Sequence, residues 1–165
     1  MKDMQDEQFI VVNEKDDVVG YKSRYECHHN KFLIHRAIDV AIFNKKGKLV
    51  MQKRSMQKDL YPGYYALSAS GHVSKGETYG QAANRELKEE MGVTGIDLKR
   101  VDTFLVSAKS ETEMVTLYKG TYDGEYSFPF DEVESLFFFS SPELQQLKYI
   151  TPSSFYSLKK LKLII

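Results

Sequence analysis

Apolar and polar positions along the chain follow two periods, and their order sets out the fold. Phe9-Ile10-Val11-Val12 and Val18-Val19-Gly20-Tyr21 are β-prone runs around an acidic turn, the pattern of a hairpin. A second hairpin follows, from Ala37-Ile38-Asp39-Val40-Ala41-Ile42-Phe43 through Asn44-Lys45-Lys46-Gly47 into 48–54. Tyr61-Pro62-Gly63 reads as a turn, and residues 65–70 as a short strand that delivers the chain to Gly71. There the period changes. Ala83, Leu87 and Met91 recur every fourth residue as the apolar stripe of a helix, which Gly92 ends with a left-handed cap. Strand patterns return over 98–108, 114–122 and 134–139. Ser141-Pro142-Glu143 and Thr151-Pro152-Ser153 each put a capping hydroxyl before a proline and predict two late helices. Mixed strands with few helices predict an α/β fold, a sandwich around a mixed sheet. With 165 residues and no Pro/Gly/Ser-rich linker, one domain over 1–165 is expected.

The helix carries more than an apolar stripe. Glu86, Glu89 and Glu90 are three and four positions apart, so their carboxylates share an arc of roughly 100°. Like charges at this spacing repel by a few tenths of a kcal/mol per pair, a cost that a hard divalent cation removes. Solvated charge on a surface helix accounts for the glutamates but not for what flanks them. Five residues separate Gly71 from Glu77 and seven separate Glu77 from Arg85, which opens Arg85-Glu86-Leu87-Lys88-Glu89-Glu90-Met91-Gly92-Val93. At average residue usage the fixed Gly, Glu and Arg positions coincide by chance at about 10⁻⁹ per starting position.

Composition narrows the partners. Twenty-three basic and 23 acidic residues cancel, which argues against a nucleic-acid polymer bound through counterion release. The lone Cys27 excludes an internal disulfide, and the polar start from Met1 is unlike a signal peptide. No apolar run approaches the ~20 residues of a membrane span, so a cytoplasmic protein without a membrane partner is expected. The basic, apolar ending after Leu158 reads as a terminal helix packed on the domain rather than a membrane contact. Oligomeric state stays open, a homodimer among the options.

The 71–93 pattern, a glycine, E, REUxEE and GU with U aliphatic, is that of the Nudix signature, and the chain resembles the Nudix hydrolase superfamily. The resemblance implies a Nudix-type α/β/α sandwich around a mixed sheet. It also implies cleavage of a diphosphate linkage, most simply in a nucleoside diphosphate derivative, with Mg²⁺ or Mn²⁺. Carried over position by position, Glu86, Glu89 and Glu90 become metal ligands, with the carbonyl of Gly71 as an extra one, and Arg85 holds the loop against the helix by pairing with Glu77. Arg54, Lys58 and Arg36 are candidate contacts for substrate phosphates. The general base stays open among Glu89, Glu111, Glu113 and Glu132.

A second likeness runs over most of the chain, through Val18-Val19-Gly20, His35-Arg36-Ala37, Gln52-Lys53-Arg54-Ser55, Lys58 with Pro62-Gly63, Gly71-His72, Asp131-Glu132-Val133 and Thr151-Pro152. It is similar to the Nudix subgroup related to type I isopentenyl-diphosphate isomerase. That likeness implies a second metal set of His28, His35, His72, Glu111 and Glu113, suited to Mn²⁺ or Zn²⁺; the alternative is that His28 and its neighbour His29 are surface residues. The isomerase requires a cysteine just before the signature glycine, where this chain has Ser70, and it lacks part of the REUxEE glutamate set, which is intact here. Hydrolysis is therefore expected ahead of isomerisation or of another prenyl-diphosphate reaction. A ligand sensor without catalysis is a third reading, which the intact carboxylates disfavour.

Overall fold

The computed structural model describes residues 4–165, so the polar start at Met1 lies outside the described residues. The elements run β1 (Gln8–Val12), β2 (Val18–Ser23), α1 (Arg24–His29), β3 (Ile34–Phe43), β4 (Leu49–Arg54), β5 (Tyr65–Leu67), β6 (Ala69–His72), α2 (Tyr79–Met91), β7 (Lys99–Ser107), β8 (Thr112–Thr121), β9 (Val133–Phe139), α3 (Ser141–Leu144) and α4 (Pro152–Lys160).

Strand β3 is the centre of the mixed sheet. It pairs parallel with β8 along its whole length, from Ile34 opposite Thr112 to Phe43 opposite Thr121. Its other edge is shared by three antiparallel partners, β1 at its start, β6 in its middle and β4 at its end. Side chains alternate across a strand, so the two faces of β3 have separate duties. Even-numbered Ile38, Val40 and Ile42 pack with Ala82, Ala83, Leu87 and Met91 of α2. Odd-numbered Ala41 packs with Leu117 and with Leu158 of α4, and Asp39 accepts a hydrogen bond from Ser157 of the same helix. Helices on both faces complete the α/β/α sandwich.

The apolar stripe of α2 is buried as its spacing predicts. Thr78 and Gln81 cap the helix reciprocally, side chain to backbone in both directions, at 3.2 and 2.9 Å. Gly92 ends it at φ 68°, and a Cβ there would stand 2.8 Å from the Ser127 carbonyl oxygen, so only glycine fits.

Three local expectations are corrected. The run 65–70 forms two strands, because Ser68 breaks it: β5 pairs with β4, while β6 crosses to β3. The buried Ser68 hydroxyl donates to the Val50 carbonyl and accepts the Ile42 N–H, joining the two pairings. The cap of α3 is Ser140, one residue before the expected Ser141, with its N–H held by Glu143. Finally, α1 forms over a segment for which no element is predicted, and it buries His28. After Leu158, the side chains of Leu161, Leu163 and Ile164 pack on the core beside α4. Among the described residues no helix is long and apolar enough to cross a membrane.

Candidate functional site

Strand β6 ends at Gly71 and His72, and two sets of ionisable groups meet there from opposite sides. On the α2 side, the Glu86 carboxyl presses against Gly71 so closely that a Cβ would lie 2.2 Å from it. Glu90 Oε2 accepts the Ser70 N–H at 3.0 Å and the Gln52 Nε2–H at 2.7 Å. Glu89 is the exposed member of the three, its side chain 58% accessible against 14% for Glu86. Arg85 ties the face together. Its guanidinium donates to both Glu77 oxygens, to Glu86 Oε1 at 2.6 Å and to the His72 carbonyl at 3.0 Å, so signature loop and helix are one hydrogen-bonded unit. Burial, then the nearby Glu90, pushes the Glu86 carboxyl up to about 8, and Glu90 is raised by its own burial. Carboxylates packed together in this way hold protons until a cation replaces them.

The other set forms on the far side of Phe9, a buried β1 residue whose ring stacks on His72 at 4.2 Å and lies 5.5 Å from His35. Helix α1 supplies His28. Ligand atoms of His28, His35, His72 and Glu111 all lie within 4.8 Å of one another. Glu113 joins from β8, its Oε1 3.6 Å from His72 Nε2 and 3.8 Å from His35 Nε2. Burial holds the histidines well below their usual range, His28 to about 4 and His35 to about 3, so all three imidazoles are neutral and free to ligate. Both ring nitrogens of His35 and the Glu111 Oε2 are buried without a hydrogen-bond partner. Native proteins rarely leave such atoms unpaired, and a cation among them would take one His35 nitrogen, Nε2, which faces the glutamates, together with Glu111 Oε2.

A cavity of about 790 Å³ is lined by the α2 carboxylates and also by Arg24, Arg54, Lys58 and Glu132. A second chamber of about 60 Å³ lies behind Gly71, and Arg54, Ser70, Gly71 and His72 belong to the walls of both. Arg54 donates to the Leu60 carbonyl at 2.9 and 3.2 Å, and Lys58 pairs with Glu132 at 2.5 Å. Arg36 does not join them. It shares the parity of Ile38 and so points toward α2, where it binds Asp16 at 2.7 Å and lies over the Tyr79 ring.

The NUDIX domain family matches residues 33–161. The chain belongs to the Nudix family. Among its relatives, an isopentenyl-diphosphate Delta-isomerase of Serratia proteamaculans is 32% identical over 147 residues, covering 86% of this chain and 79% of that protein. An uncharacterized Nudix hydrolase of Pseudomonas aeruginosa is also 32% identical, over 81% of this chain and 78% of its own length. A solved structure, DR0079 of Deinococcus radiodurans, shares the fold at a TM-score of 0.80 and 23% identity, covering 93% of this chain and 98% of that one. Nudix membership is thus compatible with hydrolase or isomerase, and the choice rests on the residues around Gly71.

Four residues of this Nudix site escape the sequence patterns. Phe9 supports the histidine cluster, Gln52 holds Glu90, Arg24 reaches in from α1, and Tyr61 lines the small chamber with φ 51°. The Ser23 and Glu26 capping box that starts α1 is a readable signal for Arg24; a single aromatic in a strand is none for Phe9.

Proposed function

We propose that the chain is a divalent-cation-dependent hydrolase of a diphosphate linkage, with a nucleoside diphosphate derivative as substrate. The observation that carries this reading is the complete carboxylate face of Glu86, Glu89 and Glu90, pressed against Gly71 and facing a cavity large enough for such a ligand. A Mg²⁺ or Mn²⁺ ion held there supplies charge neutralisation for the diphosphate and acidifies water for attack on phosphorus. The protein does the positioning. Arg54 and Lys58 line the same cavity as the carboxylates and meet phosphate oxygens, with Lys58 exchanging Glu132 for substrate. Glu89, held only by a 3.3 Å contact with Arg85, is free to orient and deprotonate the attacking water. Arg85 keeps the ligands in register.

A second reading, allylic isomerisation of a prenyl diphosphate, is favoured by one observation, the convergence of three histidines and two glutamates behind Gly71. It is opposed by Ser70, whose hydroxyl is a far weaker acid than a thiol at that place. The two readings separate in one assay. Nucleotide sugars, dinucleoside polyphosphates and isopentenyl diphosphate are each incubated with Mg²⁺ or Mn²⁺ in ¹⁸O-labelled water, and isopentenyl diphosphate also in deuterated water. Hydrolysis gives ¹⁸O-labelled phosphate products. Deuterated dimethylallyl diphosphate without phosphate release overturns the hydrolase reading.

A further inference from the structure

The small chamber carries polar groups that diphosphate cleavage does not use. It lies between the odd-numbered face of β3, the turn at Tyr61 and the first turn of α4. The alternation that sends Ala37 and Ala41 to this face also sends Asp39, which is 1% exposed. Its carboxyl accepts hydrogen bonds from Ser157 at 2.7 Å and Ser153 at 3.4 Å, both on α4. Burial raises it to about 6 in spite of these bonds and of the Ser70 hydroxyl beside it. An acid in the middle of a sheet is costly to bury, and its two bonds to α4 leave it with acceptor capacity to spare.

One hydroxyl in the chamber wall, that of Thr151, has no partner among the described residues. Thr151 is 5% exposed and caps α4, a position where a threonine hydroxyl ordinarily accepts a helix N–H; here it makes no such bond. Ser70 Oγ, on the wall shared with the diphosphate cavity, is buried beside the Asp39 carboxyl. About 60 Å³ gives room for a few water-sized groups, each of which needs polar partners of the kind these three residues offer.

We infer that this chamber is the specificity pocket for a hydroxyl-bearing group of the substrate, with Asp39 accepting its O–H and Thr151 and Ser70 completing its hydrogen bonds. The inference rests on the diphosphate reading, since it is the shared wall at Gly71 that puts the chamber next to the phosphates. A purely hydrocarbon group seated here leaves the Thr151 hydroxyl unpaired and brings Asp39 and Ser70 no further hydrogen bond. Sites built to hydrogen-bond a substrate hydroxyl reject the analogue that lacks it far more strongly than apolar pockets reject an extra one.

Two non-cleavable esters of methylenediphosphonate test this by calorimetry in the presence of Mg²⁺: the 2-hydroxyethyl ester and the propyl ester, which differ by one hydroxyl in place of a methyl. The full chain is expected to bind the hydroxyethyl ester at least about tenfold more tightly. Thr151→Val, which keeps the volume and removes the hydroxyl, and Asp39→Asn are each expected to bring the ratio of the two Kd values toward one. A thermal melt verifies that each variant is folded, and the threonine variant decides the matter if the aspartate variant is not. Equal binding of the esters by the parent, or a ratio that survives both substitutions, overturns the chamber assignment and leaves the diphosphate reading intact. Failure of both esters to bind with Mg²⁺ overturns the diphosphate reading and takes the chamber assignment with it.

Discussion

The two ionisable sets on either side of Gly71 solve the same problem in opposite ways. The α2 set gathers negative charge, leaves Glu89 largely in solvent and restrains the rest with one arginine. The cluster behind Phe9 gathers neutral imidazoles, buries His28 and His35, and leaves ring nitrogens unpaired. An open charged face can exchange cation and substrate together; a more buried, preorganised one holds what it binds longer. The first suits turnover, and the second suits a resident ion. The difference also has a structural origin, because α2 presents its glutamates from a single regular element, while the cluster draws on α1, β3, β6 and β8 and is only as rigid as their packing.

The sharpest way to break this contrast is Glu90→Gln, which keeps shape and removes charge. Turnover with Mg²⁺ is expected to fall at least about 100-fold, with a melting temperature in EDTA equal to or above the parent's because a crowded negative group has gone. Undiminished turnover in that variant means the carboxylate face is not the working one. A chain carrying Gly71→Ala should lose activity to a similar degree, since the added methyl displaces Glu86. The histidine cluster is probed by His35→Gln. The thermal stabilisation of the parent by Mn²⁺ or Zn²⁺ should disappear in this variant and persist in Glu90→Gln; equal losses in both would merge the two sets into one. Arg85→Ala is expected to cost about 2 kcal/mol by leaving Glu77 and Glu86 without their donor, a drop of about 4–8 °C in Tm, together with lower kcat. A pure rise in KM at unchanged Tm would make Arg85 a substrate contact instead.

The smallest effect expected is on pH. Glu86 near 8 and Glu111 near 7 are raised above their unfolded values, so their contribution to stability is complete at acid pH and is lost as pH climbs through the folded values. Without added cation, Tm should therefore decline between about pH 5 and 8. Divalent cations need the same groups ionised, so the rise in Tm that they produce should grow over that interval. A cation effect that shrinks with pH contradicts the assignment of these carboxylates as ligands.

Much of this was legible in the chain because it lies in spacing. The signature helix, its apolar stripe and its glycine cap depend on neighbours within a few turns, and the strands that flank it follow their alternation. What was not legible depends on partners distant in sequence. The run 65–70 reads as one strand, and only the competition of β3 and β4 for its two halves divides it at Ser68. Helix α1 has six residues, too few to register by period, and it holds through its capping box and its contacts with β1 and β2. Strand parity already separates Arg36 from the site residues of β3, so its expected phosphate contact was open to correction from the sequence. Arg36 shares a face with Ile38 and Val40, whereas His35 and Asp39 share the other. Asp39 itself was visible as the lone acid in an apolar strand, a placement that the strand pattern alone does not explain.

The parallel pairing of β3 with β8 has a consequence for how the protein comes to exist. His35 and Glu113 stand opposite each other in that ladder, while the chain between them includes β4, β5, β6, α2 and β7. The hairpin β3–β4 and helix α2 can assemble from near neighbours, but this ladder must wait for a long closure whose entropy is lost before any contact repays it. The histidine cluster is therefore among the last features to form on refolding. A cation supplied early finds histidines without glutamates, and one supplied late meets a finished cage.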